Sequence, residues 1–152
     1  MNWLKVLLLS AVPLIEMKGA IPLGINVYHI NPITVFLLSF FGSLLPVPFV
    51  LISFNKIFEW LGKYKFFSGF YNLIDRKINK NKDKFQKFEE IALITFIAIP
   101  LPTTGVWTGT AIAAFLKLDF KKSVMCAVIG SFLCGIIVTA LSIAFPAFLN
   151  ML

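Results

Sequence analysis

Two long apolar segments dominate the pattern of hydrophobic and polar positions along the chain. One covers residues 32–60 and the other residues 121–149. Each exceeds the roughly 20 residues that a membrane-spanning helix needs. Pro46 and Pro48 lie inside the first segment and predict a kink in it. The pattern therefore predicts two spanning helices, the first of them bent.

Two other apolar segments are interrupted by a proline and a glycine-containing turn. The first covers residues 3–30 and is interrupted from Pro13; the second covers residues 91–118 and is interrupted from Pro100. The pieces on either side of each interruption are too short to cross a bilayer alone. Each broken segment is therefore either a discontinuous span or a re-entrant helical hairpin, and the charge distribution decides between the two.

The order of broken segment and long helix occurs twice. FGSLL at 41–45 corresponds to IGSFL at 129–133, an offset of 88 (129 − 41), and the two interrupting prolines are offset by 87 (100 − 13). An approximate internal repeat is typical of transporter folds. We expect a single membrane domain with repeat 1 over 1–61, a linker over 62–90 and repeat 2 over 91–152.

The positive charges favour an inverted arrangement of these repeats. Twelve of the 14 basic residues lie in or beside the linker and in the short segment 117–122. These regions share one side of the membrane only if both broken segments are re-entrant. Cytoplasmic loops are enriched in Lys and Arg. The linker is therefore predicted to be cytoplasmic and both termini extracytoplasmic, in a multi-pass protein of a prokaryotic inner (plasma) membrane.

Composition agrees with an all-α integral membrane protein and excludes other classes. Hydrophobic residues make up 59% of the chain and charged residues 14%, whereas soluble domains carry about 25% charged residues. The net charge of +7 accompanies no nucleic-acid-binding motif. No nucleophile–base set, metal cluster or cofactor motif is present, so neither an enzyme nor a cofactor is expected. Cys126 and Cys134 are about 12 Å apart on a helix, too far for a disulfide.

The linker has a pattern of its own. Aromatic and aliphatic residues recur at helical spacing between lysines and asparagines, namely Phe67, Phe70, Tyr71, Ile74 and Ile78. We expect a basic amphipathic helix lying on anionic membrane lipids, followed by a turn at 79–84. A solvated basic loop is the alternative.

The first interruption contains two charges at membrane depth, Glu16 and Lys18. Each costs on the order of 2.5–3.5 kcal/mol on insertion scales. Non-helical backbone in a membrane persists only inside protein or beside a wet cavity, so the two interruptions are expected to meet. The pair has two interpretations. It is either an ion pair that fastens the hairpin, or a proton-titrating carboxylate with a cationic substrate clamp.

The second interruption, PLPTTGVWTGT, carries hydroxyls and glycines but no charge. Gly105 and Gly109 are spaced for either helix packing or close approach of a ligand. Trp107 is either an interfacial anchor or a gate. Together the two interruptions supply the candidate substrate- and ion-binding residues: Pro13, Glu16, Lys18, Gly19, Pro22, Pro100, Pro102, Thr103, Thr104, Gly105, Trp107, Thr108 and Gly109.

Two motifs carry a family resemblance. P-x-x-E-x-K-G-A-I-P-x-G at 13–24 and I-P-x-P-x-T-G-x-W-T-G at 99–109 resemble the two signature segments of the small multi-drug export proteins. That family resembles, more distantly, the DedA/VTT membrane proteins. The resemblance implies transport or flipping of a lipid-phosphate or small amphiphilic substrate, coupled to H⁺ or Na⁺, with Glu16 as the embedded acid. DedA-type proteins also use embedded arginines, whereas the single arginine of this chain is Arg76 in the linker.

The leading functional hypothesis is thus a small secondary transporter or lipid flippase, with its site between two re-entrant hairpins. The alternative is a non-transporting membrane scaffold or assembly factor. The expected partners are membrane lipids, the substrate and a coupling ion. Because two full spans hide the hairpins poorly, a homo-oligomer is also expected.

Overall fold

A computed structural model describes residues 2–61 and 82–149, and all regular structure in these ranges is helical. Seven α-helices and one π-helical turn follow in chain order. They are α1 (Asn2–Ala11), α2 (Glu16–Pro22), the π-turn (Leu23–Val27), α3 (Pro32–Leu44), α4 (Val47–Leu61), α5 (Lys82–Ala98), α6 (Val106–Phe115) and α7 (Phe120–Leu149). The predicted all-α class is confirmed.

The first long apolar segment forms two helices that meet at Pro46. Asn31 caps the start of α3 by accepting a hydrogen bond from the Ile33 amide at 2.9 Å. Pro46 has no amide hydrogen to continue the α3 ladder, which explains the break after Leu44. Pro48 lies in the first turn of α4, where its missing N–H costs nothing. The predicted kink is therefore present, and residues 32–54 remain apolar and long enough to cross a membrane.

The second long apolar segment is the 30-residue helix α7. Its start is capped by the Asp119 carboxylate, which accepts from the Lys122 amide at 3.1 Å. Residues 120–146 form the second candidate membrane span. Cys126 and Cys134 are buried and unpaired within it, as the sequence predicts.

The helices pack into two buried clusters, one around each interruption. In the first, α2 packs against α1, α3 and the C-terminal half of α7; the second joins α4, α5, α6 and the N-terminal half of α7. The apolar members of the first are Val6, Met17, Ala20, Ile21, Val35, Cys134 and Val138. Since α7 borders both clusters, it connects the two interruptions.

The outer surface carries large apolar side chains on both candidate spans. Phe41 and Phe49 project from α3 and α4, and Met125, Leu141 and Phe145 from α7, all of them exposed. Water-soluble monomers rarely expose apolar surface of this extent. A lipid surround explains this distribution.

The chain between the two halves differs from the predicted boundaries. Helix α5 begins at Lys82, nine residues before the predicted start of the second broken segment at 91. Residues 82–90, assigned to the linker, are therefore the first turns of α5, and the predicted turn at 79–84 already becomes helix at Lys82. Residues 82–90 are rich in charge, so in the sequence they resemble the linker and not the apolar helix that they begin. The predicted amphipathic helix over 67–78 lies outside the described residues.

Two glycines that are 88 residues apart make close contacts between helices. A Cβ on Gly42 of α3 would overlap the Ser10 hydroxyl and the Leu7 carbonyl of α1. A Cβ on Gly130 of α7 would lie 2.7 Å from the Ile97 Cβ of α5. Gly42 and Gly130 are 88 residues apart (130 − 42), and Ser10 and Ile97 are 87 apart (97 − 10). The two long helices therefore approach α1 and α5 closely at matching points.

Candidate functional site

The two interruptions meet, and the contact is made by polar groups. The first interruption lies between α1 and α2, and the second occupies residues 99–105 between α5 and α6. Glu16 and Lys18, in the first turn of α2, contact Leu101 and Thr104 of the second interruption and Trp107 at the start of α6. We call this contact the junction. Its polar groups satisfy backbone atoms that the interrupted helices leave without intrahelical partners.

The side chain of Glu16, the first residue of α2, reaches the N-terminal end of α6, where backbone amides have no intrahelical partners. Its side chain is buried, with a residue exposure of 3%. The Oε1 atom accepts a hydrogen bond from the Trp107 amide at 2.9 Å. A carboxylate at a helix N-terminus interacts favourably with the helix dipole and with free N–H groups. The Glu16 side chain therefore caps the amide end of α6.

Lys18 connects the same carboxylate to the second interruption. Its Nζ lies 3.4 Å from Glu16 Oε2. The ammonium also donates to the Leu101 carbonyl at 2.7 Å and to the Thr104 carbonyl. An ammonium has three hydrogens, and two of them have carbonyl acceptors here. Lys18 thus joins the interruptions, and its charge is paired with Glu16, whose Oε2 has no hydrogen-bond partner among the described residues.

Trp107 provides a second connection between the halves. Its indole Nε1 donates to the Ala11 carbonyl, the last residue of α1, at 3.0 Å. Its backbone amide is the donor to Glu16. The side chain is half-buried. The Trp107 indole therefore caps the C-terminal end of α1. The Glu16 carboxylate in turn caps the N-terminal end of α6, the helix that contains Trp107.

Thr104 completes the internal hydrogen bonding of the second interruption. Its hydroxyl accepts from the Leu101 amide at 3.1 Å and donates to the Ile99 carbonyl at 2.5 Å. The side chain is buried. The Leu101 amide also donates to the Ile99 carbonyl at 2.9 Å, so the Thr104 hydroxyl reinforces a turn that the backbone itself closes and that Lys18 contacts.

Backbone conformations at the junction are unusual. Gly105 has φ 138° and ψ −171°, a region essentially restricted to glycine. A Cβ there would overlap Glu16 Oε2 and lie 2.7 Å from the carboxylate carbon. Glu16 has φ 47° and Leu14 has φ 76°, both left-handed. Such strain persists only where the surrounding structure imposes it, and it is concentrated at functional sites.

A cavity of about 310 Å³ adjoins Lys18. It lies between the first interruption and the C-terminal half of α7, with Pro100 from the second interruption at its edge. Most of the wall is apolar, and the polar groups are few. The lining residues are Lys18, Pro22, Asn26, Pro100, Val138, Leu141, Ser142 and Phe145. Apolar walls with few polar groups are typical of sites for small organic molecules.

The remaining predicted residues lie away from these contacts. Pro13, Pro102, Thr103 and Thr108 are exposed. Gly109 packs against Ile97, where a Cβ would lie 2.5 Å from Cγ1, so its spacing from Gly105 serves helix packing. Gly19 sits within α2, and its nearest non-local neighbour is Ile15 Cγ2.

Several groups at the site were not predicted from the sequence. The carbonyls of Ala11 and Leu101 accept hydrogen bonds, but a carbonyl has no sequence signature. Asn26 and Ser142 line the cavity, and each is a polar residue within an apolar segment. That isolated polarity is the signal that could have identified them. The described ranges contain no group of three His, Cys, Asp or Glu side chains that could hold a metal.

Comparison with known proteins identifies a family. A family model described as "Putative small multi-drug export protein" matches residues 16–137, which include Glu16, Lys18, the second interruption and most of both candidate spans. No curated protein and no solved structure gave a significant match.

Proposed function

Because this chain belongs to the small multi-drug export family, we propose that it exports a small amphiphilic substrate through the junction, driven by protons that bind Glu16. The observation that carries the proposal is the buried Glu16–Lys18 pair, which holds two interrupted helices together beside a cavity. Ionisable residues inside membranes are costly and mark transport pathways by default.

Protonation of Glu16 is the coupling step. The ionised carboxylate attracts Lys18 and the amide end of α6. A neutral carboxyl group loses most of both attractions, because each depends on charge. The two interruptions then separate more easily, and the cavity beside Lys18 gains access to the opposite side. Proton binding and opening are thereby linked.

The proton fits this site better than sodium does. Sodium is a hard cation, which oxygen ligands suit. A proton needs one oxygen, whereas Na⁺ needs several, and one Glu16 oxygen already accepts the Trp107 amide hydrogen. The carbonyls of Leu101 and Thr104 are already occupied by Lys18. Coupling to H⁺ therefore requires no rearrangement of ligands, whereas coupling to Na⁺ would.

The cavity favours an amphiphile over a phosphate lipid. Its walls would hold an apolar body, and Asn26 and Ser142 offer hydrogen bonds for a polar end. A phosphate needs a cation with free charge and donors, whereas Lys18 donates to two carbonyls and its charge is paired with Glu16. Flipping of a lipid phosphate would require Lys18 to leave those partners. A lipid phosphate is therefore the second substrate in the reconstitution experiment.

We also propose the inverted-repeat topology with re-entrant hairpins. Three features support it. Lys5 near the start of α1 lies 5.8 Å from the Tyr28 ring just after the π-turn, so the chain returns toward its starting side. Phe88 near the start of α5 and Leu118 after α6 line one cavity. The matching glycine contacts at an offset of 87–88 residues relate the two halves.

Labelling tests the topology. Single cysteines at positions 82 and 150, introduced with Cys126 and Cys134 replaced by alanine, should react with a membrane-impermeant maleimide from opposite sides of oriented vesicles. Reaction of both from the same side would exclude the inverted arrangement. A permeant maleimide added to each variant controls for intrinsic reactivity.

Reconstitution tests the transport proposal. Purified protein in liposomes should move a small cationic dye when a pH gradient is imposed, and labelled polyprenyl phosphate should cross no faster than in empty liposomes. Movement of the polyprenyl phosphate alone would replace the exporter with a flippase. Movement of neither would support a scaffold and contradict the proposal.

A further inference from the structure

A second cavity lies away from the junction, between α5 and the end of α6. Its volume is about 330 Å³. Seven of its eight lining side chains are apolar, and the eighth is Glu89. The lining residues are Phe88, Glu89, Ala92, Leu93, Phe96, Ile112, Leu116 and Leu118. The volume is within the range of small-molecule sites, about 300–1,000 Å³.

Glu89 is buried in this apolar setting without a full set of partners. The residue is 9% exposed, and its Oε1 atom has no hydrogen-bond partner in the part of the chain that the structure describes. Burying a carboxylate oxygen without a partner is unfavourable. Burial also raises the pKa of Glu89, which lies outside the two candidate spans.

The neighbouring charged groups are engaged or directed elsewhere. Glu90 pairs with Lys122 of α7 at 2.8 Å. Helix α6 has no charged residue between Val106 and Phe115. Lys117 and Asp119, which follow it, are exposed, as is Lys121 on α7. Among the residues that the structure describes, no ion pair reaches the Glu89 carboxylate from the helices packed against α5.

We propose that this cavity is a binding site for a small lipophilic organic cation, with Glu89 as the counter-charge and the apolar walls holding the hydrocarbon body. The site goes beyond the export function, since it shares no residue with the junction and binding there does not require transport.

The chemistry of the walls excludes other ligand classes. Divalent metal ions need about six oxygen ligands, whereas this cavity offers one carboxylate. An anion would be repelled by Glu89, and a neutral apolar molecule would leave the carboxylate oxygen unpartnered. An organic cation supplies the missing charge, and the rings of Phe88 and Phe96 offer cation–π contacts.

Binding of benzyltrimethylammonium to the full chain in nanodiscs tests the proposal. Neopentylbenzene, in which carbon replaces the charged nitrogen, is the matched neutral probe. Titration calorimetry against empty nanodiscs should show saturable binding of the cation only. Glu89→Gln should weaken this binding by on the order of tenfold or more, as expected for loss of a buried charge partner. Glu90→Gln is the matched control and should retain the wild-type Kd.

Two further measurements keep the test decisive if Glu89→Gln fails to fold. Ile112→Trp fills the cavity without altering its charge and should also abolish binding. In the wild type, affinity should fall as the pH decreases through the pKa of Glu89, and the fall should begin nearer neutrality than for an exposed glutamate because burial raises that pKa. The probe itself does not titrate. Absent saturable binding, equal binding of the neutral probe, or unchanged affinity in folded Glu89→Gln would each overturn the proposal.

Discussion

Replacement of Gly105 by alanine tests the geometry of the junction most sharply, because two separate costs arise at one methyl group. The first is backbone strain: φ 138° with ψ −171° costs a non-glycine residue about 1–3 kcal/mol. The second is overlap with Glu16, whose carboxylate carbon would be 2.7 Å away. Overpacking of this kind costs about 1–3 kcal/mol. Gly105→Ala should therefore reduce the free energy of unfolding by roughly 2–6 kcal/mol.

Gly19→Ala in α2 is the matched control. Its Cβ would be 2.8 Å from Ile15 Cγ2, so an overlap arises there too, but Gly19 lies in a helix with ordinary φ and carries no backbone strain. Alanine also gains about 0.5–1 kcal/mol of helix preference over glycine, so the net penalty should be smaller than that of Gly105→Ala. Reversible unfolding by SDS in mixed micelles, followed by circular dichroism, measures both variants.

A double-mutant cycle separates the two costs of Gly105→Ala. In a Glu16→Ala background the overlap disappears and only the backbone strain remains, so the penalty should drop by about 1–3 kcal/mol. If Gly105→Ala were as stable as Gly19→Ala, or if the penalty were the same with and without Glu16, the described contact between Gly105 and Glu16 would be refuted.

Three other substitutions address the remaining contacts of the junction. Lys18→Met leaves a buried carboxylate and two carbonyls without their cation, so the free energy of unfolding should fall by roughly 3–5 kcal/mol. Transport of every substrate class should also fall. Selective loss of transport for anionic substrates would instead place Lys18 in a binding site. Trp107→Phe keeps the ring but removes the donor to Ala11 and should cost about 1 kcal/mol in SDS unfolding, whereas Trp3→Phe, at an exposed position, should cost nothing measurable. Thr104→Val removes a hydroxyl that bonds to the Leu101 amide and the Ile99 carbonyl, which keep their bond to each other, and should cost about 0.5–1.5 kcal/mol. An equal effect of Thr108→Val, which is exposed, would argue against this role.

The sequence predicts the parts of this molecule that depend on local chemistry. Prolines that cannot continue a helix locate both interruptions and the kink at Pro46. The cost of charge in lipid identifies Glu16 and Lys18 as residues that need partners. The need to satisfy broken backbone predicts that the two interruptions meet. Each of these inferences requires only residue type and position.

The specific partners could not be predicted, because they depend on how distant helices are placed. Nothing in the sequence indicates that Trp107 contributes its amide to Glu16 and its indole to Ala11. Likewise, Glu89 and Glu90 are adjacent in sequence, yet one lines an apolar cavity and the other pairs with Lys122. Helical rotation separates their directions by about 100°, and only packing decides which face is buried.

The central claim is that a proton on Glu16 drives transport, and one measurement tests it directly. Vesicles are prepared with equal amounts of folded wild type or Glu16→Gln and loaded with the same cationic dye. Initial efflux rates of the dye are then recorded with and without an inward proton gradient. The glutamine side chain preserves shape and hydrogen bonding but cannot titrate. We expect the gradient to accelerate efflux from wild-type vesicles and to have no effect on efflux from vesicles with the variant. Equal acceleration in both would contradict it.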